Sequence, residues 1–412
     1  MSGRRGGTTD RPPADTIVEL SDRRRIAGRA DAGFGPVVDA FVANFTERGD
    51  IGAACSVIAD GRPVVELHGG FADARTRRAW ESDTPAVIFS CSKGLLTILV
   101  YRLVDDGRLE LDAPVARYWP EFAAHGKATI TVRDALTHRA GLDALDADLS
   151  VADIAAWTPV IRAIERQAPA DPPEAGHRYH TMTMGWIVGE VIRRISGRTP
   201  GRFLAETIAG PLGLRAWIGA PPHAIAAVAR MEPPLPDEDS EAARSAARIA
   251  AADPRIERAA TMGGAFAFPA DGSGVTFNDP VLQAAEIPAA NGIATAASLA
   301  RLYAGCVSAI DAPALLSPAA IADALRLRSA GGQLSGMPDD GTQWGTGFQL
   351  ASPPSQPMLG SGSFGHAGAG GQLAFGDVDH RVGFAWLGNQ MGGYGDGRAR
   401  AVTAALARVL GA

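Results

Sequence analysis

Strand-forming patterns sit at the two ends of this chain and almost nowhere between, which constrains its fold more than any other feature. Near the start, Ala53–Ile58 and Pro63–His68 flank Ala59-Asp60-Gly61-Arg62, and an Asp-Gly pair favours a two-residue hairpin turn. Near the end, residues 345–350, 371–376 and 381–388 read as strands joined by Gly-rich and Asp/His turns. A lone two-stranded hairpin is marginal in water. The two ends are therefore expected to pair into one antiparallel sheet.

The remainder reads as helical. Phe34, Val37, Val38, Phe41, Val42 and Phe45 recur at helical spacing and predict a helix over 34–48. A mostly buried helix is expected over 92–106, ended by Gly107. Residues 128–139 predict a short extended piece and then a helix capped by Thr131 and closed by Gly141. Further helices are expected at 184–195, 201–209, 241–252, 295–309 and 397–410, with a loop at 230–240. The expected class is α+β: an antiparallel sheet flanked by helices, plus an inserted, mainly helical domain. The organisation expected is a disordered tail at 1–20, a sheet domain from 21–115 and 285–412, and a helical domain at 116–284.

Composition narrows the function classes. The net charge of −6 lacks the basic footprint that nucleic acid or an anionic membrane requires. Short basic runs such as Arg23-Arg24-Arg25 have acidic neighbours and read as solvated faces. Three cysteines, Cys55, Cys91 and Cys306, make neither a disulfide framework nor a zinc site and fit a reducing compartment. The first residues lack the apolar region of a signal peptide, and no uncharged apolar run reaches the ~18 residues of a membrane span. A cytoplasmic protein with no metal and no cofactor is expected. The cations are biased: 37 are Arg, and the only two Lys are Lys93 and Lys127.

That bias gives Phe89-Ser90-Cys91-Ser92-Lys93-Gly94 its weight. Ser90 stands just before an apolar helix, where the helix dipole favours developing negative charge. Lys93 is three residues on and projects from the same face. A serine nucleophile needs a base. Lysine can serve if burial lowers its pKa, whereas arginine does not deprotonate. The plain alternative is a helix cap with a solvated lysine. Tyr179, in Gly176-His177-Arg178-Tyr179-His180-Thr181, follows a Pro/Gly-rich approach and precedes a helix. It could point into a cleft as a phenolate stabilised by Lys93, or simply fill a domain seam. Gly365-His366-Ala367-Gly368-Ala369-Gly370-Gly371 would let a substrate approach the backbone and offer amides to an oxyanion, or would be a loose loop. Cys91 as nucleophile would be turned about 100° away from Lys93. His138 reads as a structural residue, and Trp186 and Trp344 as core or acyl-pocket residues. No Gly-x-Ser-x-Gly surrounds any serine, which disfavours an α/β-hydrolase.

In this order, Ser-x-x-Lys, Tyr and His-x-Gly resemble the motifs of class C β-lactamases, DD-peptidases and, most closely, family VIII carboxylesterases. The likeness extends to LTHRAGL (136–142), GHRYHTMTMGWIVGEVIRRISGR (176–198), GPLGL (210–214), PAANGIATAASLARLYA (288–304) and GHAGAGGQLAFGDVDHRVGFAWLGNQM (365–391). It runs from about residue 35 to the end and is weakest at 215–285. The resemblance implies a cleft between sheet and helical domain, acylation of Ser90, and proton transfer by Lys93 and Tyr179. It also implies an oxyanion site at the N–H groups of Ser90 and Ala369, with Gly368, Thr181 and His366 beside the substrate. Two positions depart from the lactamase pattern: Thr181 stands where those enzymes carry Asn, and His366 where they carry a Lys that binds a substrate carboxylate. A histidine is mostly neutral near pH 7. The expected activity is therefore hydrolysis of small carboxylic esters through an acyl-Ser90 intermediate. The alternatives are acyl transfer, amide or β-lactam hydrolysis at the same site, or a catalytically dead binding relative.

Overall fold

The computed structural model describes residues 14–22, 24–234, 248, 251, 253–267, 275–310, 313–336, 339–353, 355–393 and 396–412. Nine strands form its central sheet: β1 (Ala14–Glu19), β2 (Arg25–Ala30), β3 (Gly52–Ala59), β4 (Arg62–Asp73), β5 (Gln343–Trp344), β6 (Gln349–Leu350), β7 (Ser363–Ala367), β8 (Leu373–Asp377) and β9 (Val382–Gly388). Their order is β1-β2-β4-β3-β9-β8-β7-β6-β5, and a short strand at Arg78–Ala79 pairs with β4. All these pairings are antiparallel. The β3–β4 hairpin turns at Asp60 and Gly61, both left-handed (φ 48° and 76°), the backbone an Asp-Gly turn favours. The two ends of the chain join where β3 pairs β9, from Val382 opposite Ala59 to Gly388 opposite Ala53.

Helices cover both faces. On one, α1 (Gly35–Glu47) and the C-terminal helix pack Phe41, Phe45, Val402 and Leu406 against Phe375, Phe384 and Trp386. On the other, α2 (Ser92–Asp105) joins α3 (Val132–Leu136), α4 (Thr183–Ser196) and α5 (Ala296–Val307) in a single apolar cluster with Ala54, Ala374 and Ala385 of the sheet. Full burial of each large apolar side chain contributes about 1.5–3 kcal/mol. Strand β9 and helix α5 approach closely at Gly383, where a Cβ would lie 2.1 Å from the Ala300 carbonyl of α5. The C-terminal helix, α6 (Arg398–Leu410), begins with a buried guanidinium. Arg398 bonds Asp50 at 2.7 Å, its neighbour Asp396, and the carbonyl oxygens of Gln390 (2.8 Å) and Gly370 (3.0 Å). It thereby ties α6 and the end of α1 to the glycine loop after β7.

Four expectations need correction. The tail assigned to 1–20 is too long, because Ala14–Glu19 is an edge strand whose partners run to Ala30; residues 1–13 lie outside the described residues. The helix after Thr131 ends at Leu136, and the left-handed residue that follows it is His138 (φ 63°), not Gly141. Residues 345–350 are not one strand: only Gln349–Leu350 (β6) of that run is strand, separated from the preceding β5 by Gly345 and by Gly347 at φ 77°. The strand at 363–367 was not expected. Gly365 permits it, since a Cβ there would sit 2.2 Å from the Ala374 carbonyl. The helix at 241–252 lies largely outside the described residues. Thr131 does cap α3, in a reciprocal capping box with Asp134. Gly107 (φ 68°) follows the capping residue of α2, as its position requires.

Candidate active site

Ser90 lies in a short 3-10 turn, Phe89–Cys91, that runs directly into α2. The turn is held in an uncommon shape, because Phe89 is a bulky residue at φ 44°. Three contacts fix it. The Phe89 ring meets Phe277 edge-on at 5.5 Å. Ser92 Oγ donates to the Phe89 carbonyl and accepts from the Gly292 N–H at 2.8 Å. Cys91 Sγ donates to the His366 carbonyl at 3.0 Å, fastening the serine turn to β7. The Cys91 thiol is therefore occupied in structure, and burial pushes its pKa up.

Lys93 is fully buried on the first turn of α2. Its Nζ lies 3.3 Å from Ser90 Oγ, 2.7 Å from the Thr181 carbonyl and 3.1 Å from the Ala289 carbonyl. Burial lowers its pKa to about 7. A neutral amine has two hydrogens and one lone pair. The two carbonyls can take only hydrogens, so the lone pair is left for the Ser90 hydroxyl.

Tyr179 completes the set, with its hydroxyl 3.0 Å from Ser90 Oγ and its ring 4.8 Å from Lys93 Nζ. Trp344 stacks on that ring at 5.3 Å and His138 meets it edge-on at 4.8 Å. The loop carrying Tyr179 is docked on the segment after α3. Arg178 N–H donates to the His138 carbonyl (2.9 Å), and His180 N–H donates to His138 Nδ1 (3.2 Å). His138 thus has the structural role expected for it. His180 accepts from the Leu142 N–H at 3.0 Å and is held neutral by burial, with its pKa near 4. The phenolate expected of Tyr179 is a correction. Burial pushes the phenol pKa up, and a lysine titrating near 7 is not a permanent cation beside it. Tyr179 is a neutral phenol that can donate and relay a proton.

Ser90, Tyr179, Thr181, Trp344, Gly368 and Ala369 line one cavity of about 540 Å³. Gly368 is required where β7 passes the serine turn, because a Cβ there would be 2.5 Å from the Ile88 carbonyl. This brings Ala369 to the same wall as Ser90. Trp186 is core. His366 departs from the expectation of a substrate contact. It is 1% exposed and does not line the cavity. Its Nδ1–H donates to the Ala367 carbonyl at 2.5 Å, and burial drives its pKa to about 3. It is a neutral ring behind the wall. Sequence reasoning missed the Ala289 carbonyl, Gln333 and Gln349, none of which carries a local signal. Among the described residues no group of acidic, His or Cys side chains could hold a metal ion, and no helix is long and apolar enough to cross a membrane.

A family model described as Beta-lactamase matches residues 38–408. The chain belongs to the Beta-lactamase family. Within that family it is 34% identical over 386 residues to the esterase/beta-lactamase LipL of Mycobacterium tuberculosis, covering 89% of this chain and 84% of LipL. It is 29% identical over 224 residues to the esterase EstB of Burkholderia gladioli, covering 50% of this chain and 55% of EstB. Among solved structures, a penicillin-binding protein homologue from Caulobacter crescentus superposes with a TM-score of 0.80 at 33% identity, over 93% of this chain and 99% of the other. A family VIII carboxylesterase also gives 0.80, at 31% identity and the same coverage. The antiparallel sheet flanked by helices is thus a β-lactamase-type fold.

Proposed function

We propose that this chain is a serine carboxylesterase that acts on small neutral esters through an acyl-Ser90 intermediate. One observation carries the reading: a single oxygen, Ser90 Oγ, lies within hydrogen-bond reach of both a buried lysine titrating near 7 and a neutral phenol. Neutral Lys93 takes the Ser90 proton as Oγ attacks the ester carbonyl. The resulting oxyanion is held by the N–H groups of Ser90 and Ala369, donors fixed by the serine turn and by the Gly368 crossing. Lys93 then has three hydrogens for its three acceptors. Tyr179 delivers its phenolic proton to the departing alkoxide and recovers one from Lys93. Water, activated by the same pair, then attacks the acyl-enzyme and frees Ser90.

The neutral, buried His366 supports esters over anionic lactams, since nothing at that position supplies a fixed positive charge. The names of LipL, EstB and the family VIII carboxylesterase point the same way. Three buried free cysteines suit a reducing cytoplasm. The experiment is hydrolysis of p-nitrophenyl butyrate with mass spectrometry of the trapped acyl-enzyme. Wild type should show a burst and one butyryl adduct on Ser90, and Ser90→Ala should lose both while keeping its circular dichroism. A Ser90→Ala protein that retains full turnover would refute the reading.

A further inference from the structure

Two glutamines from separate segments line the same cavity as Ser90 and Tyr179, and both are anchored through the amide oxygen. Gln333 Oε1 accepts the backbone N–H of Tyr179 at 2.9 Å. Gln349 Oε1 accepts the backbone N–H of Ala367 at 2.7 Å. A backbone N–H can only donate, so the oxygen of each amide must face it and the NH₂ must face away. No described residue accepts a hydrogen bond from either NH₂ group. Both donor groups therefore sit on residues that line the cavity holding the reactive serine, one secured to the tyrosine loop and the other to β7.

The charges on this wall decide what those donors can serve. Asp340, Asp396 and Arg400 line the cavity, and Asp396 is already paired with Arg398 outside it. Asp340 and Arg400 contribute one formal charge of each sign, so the charge count of the lining does not select an anion. A hydrocarbon group that displaces the water facing these donors leaves them unpaired, whereas a ligand that supplies an acceptor does not.

We propose that Gln333 and Gln349 are specificity residues that select esters carrying a second, neutral carbonyl group beyond the scissile one. The proposal rests on the esterase reading and gives it a substrate class: keto- or acyl-substituted esters rather than plain alkyl esters.

The test uses two matched pairs of esters on the full-length protein. One pair varies the acyl side, p-nitrophenyl levulinate against p-nitrophenyl valerate. The other varies the alcohol side, acetonyl acetate against butyl acetate. In wild type, kcat/KM should favour the carbonyl-bearing member of at least one pair by about tenfold or more. Gln333→Glu and Gln349→Glu keep an oxygen for the backbone N–H but replace the NH₂ with a second acceptor. At least one of these variants should collapse or invert the preference. Because the ratio compares two esters on one protein, a general loss of activity or folded fraction cancels from it. Ratios near one in both wild-type pairs, or a preference that survives both Glu variants, would overturn the proposal and leave the esterase reading standing. No acyl-Ser90 from any of the four esters would overturn both.

Discussion

Lys93 Nζ lies 3.1 Å from the carbonyl oxygen of Ala289, a residue 196 positions later in the chain. That carbonyl and the Thr181 carbonyl use two hydrogens of the amine and thereby direct its lone pair at Ser90. The amine is oriented by backbone groups from two distant segments, not by a carboxylate.

Replacing Lys93 with Arg keeps the charge and removes the ability to deprotonate. Lys93→Arg should lower kcat for p-nitrophenyl butyrate about 10²–10⁴-fold, the usual range for loss of a general base. Turnover near that of wild type would exclude Lys93 as the base.

The pH profile should follow the same group. Since the neutral amine is the active form and burial brings its pKa to about 7, kcat/KM should rise about tenfold per unit below pH 7 and level off above it. The raised Tyr179 phenol gives no alkaline loss near pH 9. Stability shifts in a linked way. Between about pH 7 and the ordinary lysine pKa, the unfolded chain holds a proton on Lys93 that the folded chain does not. Stability should therefore rise with pH across that window. In urea titrations at pH 7 and pH 9, Lys93→Met should gain less stability over this interval than wild type.

Tyr179→Phe keeps a ring for Trp344 and His138 to hold, so the fold should be unchanged while proton relay to the leaving group is lost. A kcat reduced about 10²–10³-fold with an unaltered melting temperature is expected. The loss should shrink for esters of acidic phenols, whose leaving groups need no proton.

Nitrocefin, an anionic β-lactam, should be a poor substrate. With His366 buried and neutral, its kcat/KM should fall at least about 100-fold below that of p-nitrophenyl butyrate, in line with the loss of a charge-assisted contact worth about 2–3 kcal/mol. Equal turnover of the two would show that the lost cation is replaced elsewhere.

Arg398 is 3% exposed and pairs with the fully buried Asp50. Burial raises the Asp50 pKa to about 6 even with that partner present. Arg398→Met should cost about 3–5 kcal/mol in denaturant unfolding, because it strands a buried carboxylate. It should also reduce esterase activity in the folded fraction, because the Gly370 carbonyl loses its anchor next to Ala369.

The parts of this fold legible in the sequence were those fixed by local chemistry. SKGLLTILVYRLV is apolar on nearly every face, and α2 is accordingly buried almost throughout. Asp60-Gly61 set the hairpin, and Thr131 set the start of α3. Ser90, Lys93 and Tyr179 were legible because their types and order carry a chemical meaning, and the structure places them within reach of one another. What could not be read depended on distant neighbours. Ser363-Phe364-Gly365-His366-Ala367 has little strand character and becomes one because β8 and β6 pair with it on either side and the serine turn closes over it. The protonation state of Tyr179 and the concealment of His366 follow from burial by Trp344 and neighbouring segments, which no local pattern encodes. Gln333 and Gln349 gain their orientation from backbone N–H groups far away in sequence, so their residue type alone announced nothing.

The pairing of β3 with β9 also imposes an order of events during biosynthesis. Ser90, Lys93 and Tyr179 are all translated well before β9 and α6. Until they leave the ribosome, β3 presents an open hydrogen-bonding edge and the wall carrying Ala369 has no strand behind it. A nascent chain thus holds every reactive side chain without a working site until β9 and α6 have emerged to close the sheet.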